Sequence, residues 1–199
     1  MAATVLLSGC QDKPVTTPAP TVSPILQTAS ATSSPTPPST APTPSQTLIS
    51  TRPTSSTELE ALADEAEQVY VAYKKLRLKY EAQGGIDGPL PEDLKQYVAG
   101  TESRAVETVL RSVHQKGTKL EKVDRMTFKR VGTFSDDLEE NAIIGIQMCD
   151  DASQVVFKDG KGSSTRASSL MYWSELGRGP AGTLQVVYSE VKEVASCDA

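Results

Sequence analysis

Histidine is all but missing from this 199-residue chain: His114 is the only one, alongside three cysteines and one tryptophan. One histidine with no C-x-x-C pair cannot complete a zinc site, and no Ser-His or Cys-His constellation is laid out for nucleophilic catalysis. His114 is therefore expected to be solvated or to cap a helix end. No run of about 20 apolar residues is present to span a bilayer. Basic residues are outnumbered 20 to 25, giving a formal net charge of −5, and they are scattered along the sequence rather than gathered into a stripe. Nucleic acid is not expected as a partner, because neutralising phosphates needs a concentrated positive surface. No metal and no cofactor are expected.

Proline is distributed very unevenly. Ten of the 13 prolines fall between Pro14 and Pro53, among Thr, Ser and Ala, with Asp12, Lys13 and Arg52 as the only charges. Such a segment cannot bury enough apolar surface to offset the entropy of ordering it. Residues 10–56 are read as a disordered tether extended toward polyproline II, and residues 57–199 as the folded domain. Glycosylation of the Ser and Thr hydroxyls is compatible with the composition but is not required by it.

Ahead of the tether stands Leu7-Ser8-Gly9-Cys10, at the end of a short apolar run. It resembles a bacterial lipobox, in which small residues let a signal peptidase bind extended backbone and the cysteine thiol receives a diacylglycerol. The resemblance implies that residues 1–9 are the end of a signal peptide and that Cys10 is lipidated and becomes the mature N-terminus. Met1 to Leu7 carries no positive n-region, and its apolar run is shorter than the roughly 7–15 residues of an export signal. A true start upstream of Met1 reconciles the two. A diacylated Cys10 would supply the two chains that stable anchoring requires, placing the protein on the outer face of the cell membrane.

Cys149 and Cys197 then remain. An even pair in an exported domain reads as a disulfide, since the compartment is oxidising.

The clearest helix opens at Thr57, with Thr57 and Glu60 as a capping box. Leu59, Leu62, Ala66, Val69, Tyr73, Leu76 and Tyr80 recur at helical spacing as a core-facing stripe, and Gly84-Gly85 stops the helix. Glu60, Glu67, Lys74, Lys75 and Lys79 form the opposite, solvated face. Pro89 to Asp93 begins a short helix carrying Leu94, Tyr97 and Val98, closed by Gly100. A third helix runs from about Thr101 to Gln115, with Val106, Val109, Leu110 and Val113 inward.

After Gly117 the period changes from 3.6 to 2. Strands are expected at Val123 to Val131 and Asn141 to Cys149, the second with Ala142, Ile144, Ile146 and Met148 inward and a turn at Ser135-Asp136-Asp137 between them. Val155 to Phe157 makes a short strand closed by Asp159-Gly160, a hairpin signal. Arg166 to Leu176 and Leu184 to Val191 supply two more. The expected fold is α+β, three helices followed by a meander of about five strands.

That order resembles the NTF2-like, or cystatin-like cone, superfamily, with N-terminal helices packed on a bent antiparallel sheet. With the lipobox at Cys10, the tether, Tyr70-x-x-Tyr73, Cys149-Asp150-Asp151 and the terminal Cys197, the whole is similar to secreted lipoproteins of actinobacteria and their prophages. Relatives of that type often carry a Gly-x-Trp at the start of the last strand. Here Gly182-Thr183-Leu184 stands there and the lone tryptophan is Trp173, so a ligand role tied to that indole does not transfer, although Leu184 can still cap the core.

Some NTF2-like folds resemble ketosteroid isomerases, whose chemistry needs a carboxylate base in an apolar pocket facing a hydrogen-bond donor. Asp124 or Asp150 with Tyr172 or Tyr188 would be the candidates. Asp150-Asp151, however, is expected to face water in a turn, and Asp124 sits beside Lys122 and Arg125. The residues point instead to a membrane-anchored, non-catalytic binding or interaction module. Its partner would be a small apolar ligand, an envelope component, or, by resemblance to prophage exclusion lipoproteins, a phage protein.

Overall fold

A computed structural model describes residues 52–198. The lipobox, Cys10 and most of the predicted tether lie outside the described residues.

Helix α1 (Ser56–Ala82) starts on a capping box, but one built from Ser55 and Glu58 rather than Thr57 and Glu60. The Glu58 amide donates to the Ser55 hydroxyl at 3.2 Å, while the Glu58 carboxylate accepts from the amides of Thr54 and Ser55. Those bonds hold the Glu58 carboxyl below the usual glutamate range, the Thr54 amide contributing most. At 27 residues the helix is about 40 Å long. It ends at Gly84-Gly85, as the sequence predicts. Gly85 has φ +80°, and a Cβ there would lie 2.1 Å from the Leu110 carbonyl oxygen, so the chain can pass Leu110 at that point only without a side chain.

Helix α2 (Glu92–Lys95) is a single turn. Tyr97 and Val98 lie beyond it: Val98 bridges Val186 in a parallel pairing, and Val186 exchanges backbone hydrogen bonds with Tyr97 and Ala99. Gly100, expected to close α2, instead opens α3 (Gly100–Gln115) with φ +55°. Val106 and Leu110 of α3 are buried, whereas Val109 is 37% exposed.

Seven strands follow, in two antiparallel sheets rather than one five-stranded meander. They are β1 (Lys119–Glu121), β2 (Thr127–Phe134), β3 (Ile144–Asp151), β4 (Val156–Lys158), β5 (Ser164–Arg166), β6 (Ser169–Arg178) and β7 (Leu184–Val194). The larger sheet has the order β2-β3-β6-β7 and the smaller β1-β4-β5. Val123–Arg125, expected in the first strand, forms one turn of 3₁₀ helix. The turn at Ser135 to Asp137 and the hairpin at Asp159-Gly160 are both present.

Alternation along β3 directs Ile144, Ile146 and Met148 to one face, opposite Leu176, Ser174 and Tyr172 of β6. Helix α1 lies against this face, and its Leu62, Ala63, Ala66, Tyr70 and Tyr73 join them in one core with Leu94, Val106, Leu110, Leu184 and Val186. Leu184 is 1% exposed and caps the core as expected. On the other face Cys149 is joined to Cys197 in a disulfide with Cα atoms 5.7 Å apart, which ties the end of β3 to the tail beyond β7.

Candidate functional site

Where α1 crosses the sheet its buried face stops being apolar. Tyr70, Tyr73, Lys74, Arg77 and Glu81 follow at spacings of three and four, and all but the partly exposed Arg77 are buried. These spacings place them on one side of the helix, toward the inner face of β3 and β6. Lys74, expected on the solvated face, is only 3% exposed. Asp150, expected in a turn facing water, is 0% exposed and is the next inward position after Met148 on β3.

The two form an ion pair, Lys74 Nζ to Asp150 Oδ2 at 2.8 Å. The Tyr70 hydroxyl donates to the same carboxylate, 3.0 Å from each oxygen. Lys74 Nζ also stands 3.6 Å from the centroid of the Tyr172 ring, where the negative face of the π-system attracts a cation. Burial pushes the Lys74 ammonium toward losing its proton, but Tyr172 and Asp150 outweigh it, so the group titrates above the ordinary lysine range. Burial raises the Tyr70 hydroxyl well above the usual tyrosine value, and the Asp150 charge adds to the shift. The phenol thus remains a donor.

Two further polar pairs continue along the helix. Tyr73 donates to Glu102 of α3 at 2.7 Å, and Arg77 reaches Glu81 at 2.8 Å. Tyr73 too is raised well above the usual value, chiefly by burial, with Arg77 lowering it and Glu102 raising it.

Beside the Lys74 ammonium a cavity of about 280 Å³ opens between the C-terminal half of α1, the β1 strand and the β6 strand. Leu78, Met126, Val155, Leu170 and Tyr172 give it an apolar wall, and Lys74, Arg77 and Glu81 a polar one. It combines an apolar body with a few fixed polar groups, the usual composition of a small-molecule site, just below the usual size range of roughly 300–1,000 Å³.

Of the sequence candidates, the fold brings Asp150 and Tyr172 together through Lys74. It leaves Asp124 on the surface, with a side chain 78% exposed and 3.7 Å from its neighbour Arg125. Tyr188 is also apart, donating to Glu190 at 2.9 Å. Asp151 does sit at a turn, where its Oδ1 accepts from the Ser153 amide and the Ser169 hydroxyl. Those bonds, the Ser153 amide first, lower its carboxyl below the usual aspartate value. His114 is exposed near the end of α3, and a carboxylate does approach it: Asp87 Oδ1 is 4.0 Å from its Nε2. Tyr70, Lys74 and Arg77 were not singled out as site residues in the sequence. The alternation Ile144, Ile146, Met148, carried one step further, would have placed Asp150 inward and asked for a buried cation to meet it.

Among the described residues no group of three or more His, Cys, Asp or Glu side chains is placed to hold a metal ion. No described helix is long and apolar enough to cross a membrane. No protein-family model matches the chain, and no curated protein matches it significantly.

Proposed function

We propose that this protein is a lipid-anchored, extracytoplasmic binding module: an NTF2-like cone, carried on a tether from a diacylated Cys10, that takes a small apolar ligand in the cavity beside Lys74 without transforming it. The observation that carries the non-catalytic reading is the seclusion of Asp150. A carboxylate acting as a base must reach its substrate. Asp150 is fully buried and does not line the cavity, while Tyr70 donates to it and Lys74 pairs with it, so the group serves as a cross-brace between α1 and β3. The apolar wall of Leu78, Met126, Val155 and Leu170 sets the ligand class. The cone assignment is supported by the long α1 laid across an antiparallel sheet, and the exported location by the Leu7-Ser8-Gly9-Cys10 motif together with the disulfide, since such bonds persist in oxidising compartments.

Two measurements test this. Protein expressed with its upstream start and extracted from membranes should show, by intact mass, a diacylglycerol adduct and no residue before Cys10; a soluble exported product with free Cys10 refutes the anchor. An environment-sensitive apolar dye should bind the protein, and Val155→Phe, which fills the cavity, should weaken that binding at least tenfold. Equal dye binding by the filled variant refutes the ligand site.

A further inference from the structure

The basic residues scattered in sequence are not scattered in the fold. In the small sheet Lys119 of β1 lies directly opposite Lys158 of β4, and Glu121, Val156 and Arg166 are their partners two residues along. Residues opposite one another, and those two apart on one strand, share a face, so Lys119, Lys158 and Arg166 stand on one side with Glu121 as the only acid among them. At the end of that sheet Gly117 packs against Gly160, backbone to backbone, which brings the adjoining Lys116 and Lys161 to the same place.

Like charges placed directly opposite destabilise an antiparallel pair. One carboxylate partly relieves this one: Glu121 Oε1 is 3.0 Å from Lys158 Nζ. Asp159, the other acid here, turns its Oδ1 to the amides of Lys161 and Ser163. No ion pair is formed by Lys116, Lys119, Lys161 or Arg166 among the described residues, and all four are exposed. These five basic and two acidic residues carry a net +3, which leaves 15 basic and 23 acidic residues, a net −8, for the rest of the chain. This sheet is therefore a local positive patch on a chain whose other residues are net acidic.

We propose that the β1-β4-β5 sheet is a docking face for an anionic phospholipid surface. The argument for that occupant is charge complementarity combined with geometry. Lys119 lies beside Gly84, just past the C-terminal end of α1, so the basic face is about a helix length, roughly 40 Å, from the point where the tether joins the domain. The coil expected of residues 11–56 from their composition would have a root-mean-square reach on the order of 35–40 Å, enough to let the domain turn this face toward a membrane holding a lipidated Cys10. The acidic remainder would be repelled from the same surface, which fixes the orientation. Only the presence of a membrane within reach depends on the anchoring proposed above.

The test removes that dependence by using the full chain with Cys10→Ser, mixed with vesicles of phosphatidylcholine alone or with about one-third phosphatidylglycerol, at low salt. A basic residue near an anionic surface contributes roughly fivefold to partitioning. The protein should sediment with the anionic vesicles only, and less as salt is raised. Lys119→Glu with Lys161→Glu and Arg166→Glu should reduce partitioning by at least about a hundredfold, while Lys95→Glu with Arg104→Glu, on α2 and the N-terminal half of α3, should be far milder. Circular dichroism confirms that each variant is folded. The proposal is overturned by absence of binding to anionic vesicles, by equal loss in the two sets of variants, or by binding to soluble polyphosphate without binding to vesicles. Acylation at Cys10 is scored separately, so either proposal can fail while the other stands.

Discussion

Replacing Lys74 by methionine keeps an unbranched side chain of similar length and deletes one charge from the interior. At 2.8 Å and an effective dielectric constant of about 20, the attraction between Lys74 and Asp150 is on the order of 6 kcal/mol. Desolvation of both groups offsets much of it, so the intact pair is a weak net stabiliser. Deleting one partner is different, because Asp150 is left buried and charged. That condition typically costs about 3–5 kcal/mol, and the two contacts from Tyr70 favour the lower part of the range. For a domain of this size each kcal/mol is worth about 2–4 °C, so a fall in Tm of roughly 10 °C is expected. Asp150→Asn should be destabilising in its turn, since it strands the ammonium. The double variant should then be more stable than the sum of the single losses allows, with a coupling of about 2–3 kcal/mol. Urea unfolding with the disulfide intact reads all three quantities, with Trp173, the only tryptophan and a neighbour of Tyr172 on β6, as reporter. A Lys74→Met protein within about 1 kcal/mol of the parent, or strictly additive losses, would refute the view of this pair as a cross-brace.

Cys197→Ser opens a loop with a sequence separation of 48 residues and should cost up to about 4 kcal/mol by loop entropy without abolishing the fold, measurable by non-reducing against reducing denaturation. Ser55→Ala should cost about 1 kcal/mol through loss of the N-cap, and Thr57→Ala much less; equal effects would contradict the observed cap. Stability should fall as pH rises past about 10, the value for unfolded tyrosine and lysine. Lys74, Tyr70 and Tyr73 all have folded values raised above their ordinary ones. Their contribution is therefore complete below that pH and is lost as the pH climbs through the folded values, and a flat alkaline profile of Tm would count against the buried polar band.

The sequence makes α1 legible because its apolar residues recur over many turns and a Gly-Gly pair ends them. The small sheet is not legible as a sheet. Strands β1, β4 and β5 are three residues each, too short for a period of two to register; β4 is legible one residue early, as Val155 to Phe157 before the Asp159-Gly160 turn, but β1 is not, and β5 is not separable from β6. Gly100 shows how a correct signal can be attached to the wrong element: its positive φ is real, but the residue begins α3 instead of ending α2. The burial and pairing of Lys74 and Asp150 escaped for a more general reason. A charge on a helix face or a strand end reads as solvated unless its partner is known, and here the network closes across 80 residues, from Tyr70 to Asp150. The basic face has the same origin, since Lys119 and Lys158 become neighbours only through strand pairing.

Cys149 and Asp150 are consecutive on β3, and they face opposite ways: one is bonded to the tail, the other to helix α1. A slip of β3 by one residue exchanges every inward and outward position. It would direct the thiol at an ammonium and carry the carboxylate to the side where Cys197 waits, so neither attachment could form. Oxidation of this cysteine pair is thereby conditional on correct strand alignment. When the reduced chain refolds under oxidising conditions, the covalent bond would then record that β3 has been seated properly, and misaligned chains would be identifiable by their free thiols.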